Sequence, residues 1–271
     1  MQNAEKREVI IQGSHISKSY PMCESEFQRM IELLRPRANM ANEFLALKDV
    51  SFEFYKGEII GFVGLNGSGK STLSRIIAGI SYPTQGEVEV RGECSMLSPS
   101  SGMNIQLTGR ENIFYKCLLL GFSEKQIRDM EAQIVDFAEI GSHIEQPMRT
   151  YSSGMRARLG FAISVMLDPD VLIVDEALAV GDPTFATKCL DKMREFKANG
   201  KTIVFVSHAA GQMKGFCDRV MWLHHGRKLG ILPTEQILPA YEGFTKEFNK
   251  MSKEQRQTFE PSLEEYCAKY C

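Results

Sequence analysis

Gly64-Leu65-Asn66-Gly67-Ser68-Gly69-Lys70-Ser71 is the stretch on which the reading of this chain turns. Its spacing is G-x-x-x-x-G-K-[ST], and it stands between two segments that give the spacing meaning. Upstream, Glu58-Ile59-Ile60-Gly61-Phe62-Val63 is a short apolar run that reads as a buried strand. Downstream, Leu73, Ile76, Ile77 and Ile80 follow the i, i+3, i+4, i+7 rule and predict an amphipathic helix. Glycines let the backbone turn its N–H groups into one concavity, and the helix directs its positive end at whatever anion sits there. Lys70 supplies a cation for terminal phosphates, and the Ser71 hydroxyl is suited to Mg²⁺. Gly64 to Ser71, with Thr72 after it, are therefore the expected phosphate-binding residues.

Working outward, two further strands carry chemistry at their ends. Val171-Leu172-Ile173-Val174 runs directly into Asp175-Glu176, which places two acids where α/β sheets collect ligands. Asp175 is expected to hold Mg²⁺, directly or through water, and Glu176 to activate the attacking water. Thr202-Ile203-Val204-Phe205-Val206 leads to Ser207-His208, and His208 would reach the γ-phosphate or that water from the same sheet edge. Leu159, Ala162, Ile163 and Met166 form a helical stripe before the second strand. Strand alternating with helix predicts an α/β layer architecture.

Composition sets bounds. In 271 residues, 43% apolar and 24% charged are globular proportions, and a formal charge of −2 gives no field for nucleic acid. The seven cysteines are scattered without a C-x-x-C pair, which suits reduced thiols, and no run of about 18 apolar residues predicts a membrane span. Residues 1–109 read as the first part of an ATP-binding core, interrupted by an insertion at 21–43. Residues 110–156 read as a helical subdomain, with Ile127, Met130, Ile134 and Phe137 at helical spacing, 157–230 as the second part of the core, and 231–271 as a helical tail.

Tyr151-Ser152-Ser153-Gly154-Met155, followed by a periodic helix and then by Asp175, resembles the signature of the ABC ATPases, usually Leu-Ser-Gly-Gly-Gln. Ser152 and Gly154 match it; Tyr151, Ser153 and Met155 depart. The resemblance implies a P-loop NTPase of RecA-like fold with an inserted helical subdomain and a short helical C-terminal tail. It also implies that Ser152, Ser153 and Gly154 bind the γ-phosphate of ATP held by a second copy, with Mg²⁺ as cofactor. Tyr20 falls where the family stacks an aromatic on adenine, and Asp182 corresponds to the D-loop aspartate. No glutamine stands between Ser98 and Asn104, where the family has one, and Gln106 lies too close to Leu107-Thr108-Gly109-Arg110-Glu111-Asn112.

That last segment, with Thr150 to Met155 and Asp175 to Asp182, is similar to the polysaccharide-export branch, above all to teichoic acid export ATP-binding subunits. The resemblance covers roughly residues 9–230. It implies ATP hydrolysis at the cytoplasmic face of the cell membrane, as a peripheral protein. The partners it implies are a second copy, two copies of an integral permease and, through the permease, a lipid-linked polymer.

Three other readings remain open at this point: an ATPase for O-antigen or capsule export, a soluble ABC ATPase outside transport, and a small-molecule P-loop kinase. Too few residues separate Lys70 from Ser152 for the coiled-coil arm of chromosome ATPases, and a kinase leaves Tyr151 to Met155 unexplained. In the insertion, Phe27, Met30, Ile31 and Leu34 beside Arg29, Arg35 and Arg37 fit either a membrane-surface helix or one packed on its own domain.

Overall fold

A computed structural model of the chain describes residues 7–21, 43–97, 102–175, 183–206 and 210–271. Residues 22–42, which include the three arginines and all but the ends of the insertion, lie outside them, as do Glu176, Asp182 and His208.

The organising element is a six-stranded sheet of order β5-β6-β7-β3-β8-β9. Its strands are β3 (Ile59–Val63), β5 (Cys94–Leu97), β6 (Val171–Asp175), β7 (Thr202–Val206), β8 (Arg219–His224) and β9 (Arg227–Pro233). All neighbours pair parallel except β8 with β9, an antiparallel hairpin. β9 continues through Gly230 as far as Pro233, so the tail's helices begin only at Thr234.

Alternation along the strands splits the core into two layers. Ile59, Val63, Leu172, Val174, Ile203, Phe205, Val220 and Trp222 face one side, whereas Ile60, Phe62, Val171, Ile173, Val204, Val206, Met221 and Leu223 face the other. Burial on both faces explains why these strands read as continuous apolar runs.

Against the second layer pack α1 (Lys70–Ile77) and a three-stranded antiparallel sheet of order β2-β1-β4, built from β1 (Val9–Pro21), β2 (Glu43–Tyr55) and β4 (Gln85–Val90). Helix α1 ends a turn earlier than its apolar stripe predicts. Gly79, at φ +69°, terminates it after Ala78, and Ile80 lies exposed.

The first layer is covered by α2 (Gly109–Leu119), α3 (Glu124–Ala138), α4 (Ser153–Met166) and α5 (Pro183–Ala198). The stripe on α3 packs as its periodicity predicts: Ile127 and Ile134 are fully buried and Met130 partly so. Beyond the four-residue α6 (Ala210–Met213), α7 (Thr234–Phe248) and α9 (Leu263–Tyr270) wrap Trp222, with α8 (Lys253–Thr258) between them. The Tyr241, Phe244 and Tyr266 rings lie 5.4, 5.1 and 6.1 Å from the indole, so the tail completes the core. No helix among the described residues is long and apolar enough to cross a membrane.

Candidate functional site

The loop after β3 closes on itself and opens α1. Ser68 N–H donates to Leu65 O at 3.1 Å, and Leu73 N–H donates to Gly69 O at 2.9 Å. Gly69 caps the helix at φ +105°, a conformation costly for any side chain. It could not carry one in any case, because a Cβ there would lie 2.8 Å from Ala46 O and 2.7 Å from the Leu47 side chain. Strand β2 and the loop therefore press together backbone to backbone.

Lys70 is 4% exposed and donates from Nζ to Gly64 O at 2.6 Å and to Leu65 O at 3.1 Å. The ammonium is thus held over the loop whose N–H groups form the concavity. Ser68 is slightly more buried still, and its hydroxyl has no hydrogen-bond partner among the described residues. Such a group costs about 1–3 kcal/mol, a cost that an anionic oxygen entering the cradle would recover.

The cavity above the loop has a volume of about 310 Å³ and is lined by Asn66 to Thr72 together with Phe44 and Ala46 of β2. Phe44 is half exposed at the cavity's edge. It was not singled out from the sequence, because nothing local marks it: it reaches the loop only through the pairing that lays β2 alongside. Tyr20 is its partner across the β1–β2 ladder, with the Lys18 ammonium 5.2 Å from the ring centroid. Tyr20 does not itself line the cavity.

Asp175 ends β6, in register with Val206 at the end of β7, and β7 pairs in turn with β3, which leads into the loop. The sheet thereby brings the carboxylate and the loop to the same edge. Ser71 and Asp175 are oxygen donors, the donor type that Mg²⁺ prefers. Among the described residues no cluster of three or more His, Cys, Asp or Glu forms a separate metal site.

The signature segment lies at the start of α4. Ser152 caps the helix, its hydroxyl accepting from Met155 N–H at 3.2 Å. Ser152 and Ser153 are exposed and Gly154 partly so, whereas Tyr151 is 3% exposed. Cavity and signature are separate on one chain: none of Tyr151 to Met155 lines the space above the loop. His224 is buried with Nε2 3.0 Å from Phe259 O, and the sulfurs of Cys267 on α9 and of Cys271 just past its end both point towards Gln236 O. Burial holds the Cys94 and Cys189 thiols up at about 12.

Comparison with known proteins gives this geometry its setting. The family profile described as "ABC transporter" matches residues 47–179, which include the loop, the signature and Asp175. Teichoic acids export ATP-binding protein TagH of Listeria monocytogenes serotype 4b (strain F2365) is 46% identical over 253 residues, 93% of this chain and 76% of the Listeria protein. Its counterpart in Listeria innocua serovar 6a is 45% identical, covering 96% of this chain and 78% of that one. TagH of Bacillus anthracis is 47% identical, but the match takes in only 45% of its length. Among solved structures, the dimeric post-hydrolysis state of the ATP-binding cassette MJ0796 bound to ADP and Pi superposes with a TM-score of 0.68 at 21% identity, over 83% of this chain and 98% of that one. An ATP binding subunit of an ABC transporter gives 0.67 at 20% identity, over 96% and 98%. These two likenesses speak for the fold. The extent of the Listeria matches speaks for more: the chain belongs to the teichoic acids export ATP-binding proteins, the ATPase subunits of a branch of the ABC transporter family.

Proposed function

We propose that two copies of this chain close on two ATP molecules and use their hydrolysis to drive export of a lipid-linked teichoic acid through a pair of membrane-embedded permease subunits. The copies would work as peripheral proteins at the cytoplasmic face. The observation that carries the reading is the separation on one chain of a cavity around Lys70 from an exposed, helix-capping Ser152. Neither is a complete site alone, and in a head-to-tail pair each would face the other across one nucleotide.

Residues 110–156 are assigned as the subdomain that presents this signature. The Gly64 to Thr72 loop takes the phosphates, with the Lys70 ammonium exchanging the carbonyls of Gly64 and Leu65 for phosphate oxygens. Phe44, with Tyr20 beside it, is assigned to the adenine. Ser71 and Asp175 would hold Mg²⁺, which when bound offsets phosphate charge. Glu176 orients and deprotonates the attacking water, His208 contacts the γ-phosphate, and Asp182 lies at the interface of the pair. Ser152, Ser153 and Gly154 of one copy complete the site of the other. Closing the pair excludes water, so these fixed dipoles and charges act at low dielectric, where they are worth most.

The test is Glu176→Gln in the chain reconstituted with its permease pair. ATP binding should persist while hydrolysis and export of labelled lipid-linked polymer both fall by on the order of 10²-fold or more. Hydrolysis at the parental rate would remove Glu176 from its role. Hydrolysis that no lipid-linked teichoic acid stimulates would point to another polymer.

A further inference from the structure

Tyr151 stands where the signature of the ABC ATPases usually has leucine, and it is the best-anchored residue of the segment. Its ring is buried, and its hydroxyl donates to His143 O at 2.6 Å. The same hydroxyl faces the backbone of Gly109, the first residue of α2. A Cβ built on Gly109 would lie 2.3 Å from the Tyr151 oxygen, an approach open only to glycine. Burial raises the phenol's pKa, and the Gly109 amide pulls the other way, as an N–H directed at the oxygen does.

The backbone around this contact is tied in the same direction. Thr108 and Pro147 form a bridge, Met148 N–H donates to Leu107 O at 2.9 Å, and Arg149 N–H donates to Ile105 O at 2.8 Å. Tyr151 N–H then donates to Met148 O at 3.1 Å. Thr108 and Glu111 form a capping box that fixes the start of α2. The residues leading into Ser152 are therefore laced to 105–109, and the last link before the serine is a side chain that leucine could not replace.

We propose that Tyr151 is a positioning residue: by clamping the start of α4 to the start of α2, its hydroxyl sets Ser152 at the height needed to meet the nucleotide of the partner copy. The inference rests on the signature role proposed above. It adds that the exposed serine is held through a buried phenol, and that any shift of residues 105–109 moves the serine with it. A residue that acts through Ser152 should affect assembly of the pair and leave untouched the nucleotide that a single copy holds in its own loop.

The experiment takes the full chain in a Glu176→Gln background, so that ATP persists, and measures two quantities. One is the ATP concentration at which dimers form, by sedimentation; the other is binding of a fluorescent ATP analogue to the monomer. Tyr151→Phe removes one oxygen and keeps the ring. It should raise the ATP needed for dimers by roughly tenfold, the effect of about 1.4 kcal/mol, while monomer binding stays within about twofold. Gly109→Ala should do the same, and adding it to Tyr151→Phe should cost less than the sum, because the hydroxyl is the nearest of the atoms its Cβ meets, ahead of Ile144 Cδ1 at 2.9 Å. A merely structural role would lower Tm and weaken both readouts together. Dimerisation of Tyr151→Phe at the parental ATP concentration overturns the proposal. Ser152→Ala separates the two levels: if it too dimerises normally, the signature reading falls and takes this inference with it, whereas if it alone is impaired, only the role of Tyr151 is lost.

Discussion

Gly226, in the turn between β8 and β9, donates its backbone N–H to Ser68 O at 3.1 Å and accepts from Lys48 N–H at 2.8 Å. One residue thus braces the phosphate loop against the middle of β2. Its φ is +80°, and a Cβ would lie 2.8 Å from Ala46 O, so both conformation and space reserve the position for glycine. Residues far apart in the chain share this contact, and Ser68 and Ala46 on either side of it both line the cavity above the loop.

Gly226→Ala should therefore be costly twice over. The left-handed conformation alone costs about 1–2 kcal/mol for a residue with a Cβ. The contact with Ala46 adds to it, so Tm should fall by several degrees, at about 2–4 °C per kcal/mol in a chain of this size. Because a shifted Gly226 loosens its hold on the Ser68 carbonyl, and the clash falls on Ala46, which lines the cavity, the KM for ATP should rise as well, by roughly tenfold for a shift of under 1 Å. Thermal melts and steady-state ATPase measurements check both. A variant with lowered Tm and parental KM would show that the brace serves stability alone.

The cavity edge gives a second prediction. Phe44 lines it and Tyr20 does not, although the two are paired across the ladder. Stacking of a base on an aromatic ring is worth about 1–3 kcal/mol, so Phe44→Ala should weaken ATP binding by roughly tenfold or more. Tyr20→Ala should do less, acting through the support it gives Phe44. Titration of both variants with ATP and with inorganic triphosphate separates base from phosphate: the loss should appear for ATP and vanish for triphosphate. A greater loss from Tyr20→Ala would return the base to the residue expected from the sequence.

That contrast marks where legibility ended. The loop, β3, β6 and β7 could be read because their signals are local: a glycine spacing, short β-branched runs, acids at a strand end. The stripes on α3 and α4 were equally plain. Phe44, Gly226 and the tail's aromatic cage on Trp222 could not be read, since each draws its meaning from a pairing between distant segments. Ile80 misled for a related reason: periodicity extends a stripe past Gly79, whereas the left-handed turn at that glycine ends the helix. Tyr151 departs from the signature, and only the backbone of His143 and Gly109 gives its hydroxyl a purpose.

The tail supplies a prediction about pH. Glu247 of α7 accepts from the Tyr266 and Tyr270 hydroxyls, both at 2.7 Å, and pairs with Lys269, all three on α9. The bond from Lys269, then those from the two tyrosines, hold the carboxyl down at about 2. A carboxyl depressed on folding contributes stability above its unfolded pKa of about 4.3 and loses it as pH falls through the folded value. Glu247→Gln, which resembles the protonated acid in shape and charge, should therefore melt below the parent by a constant gap from about pH 5 to 8. Below about pH 4.3 the gap should narrow, closing near pH 2 where the parent itself is protonated. Salt should shrink the share due to the exposed Lys269 and leave that of the two phenols. A gap of equal size at pH 3 and pH 7 would mean that the charge on Glu247 contributes nothing, and that α9 is held on α7 by packing of Tyr266 against Trp222 and Phe244.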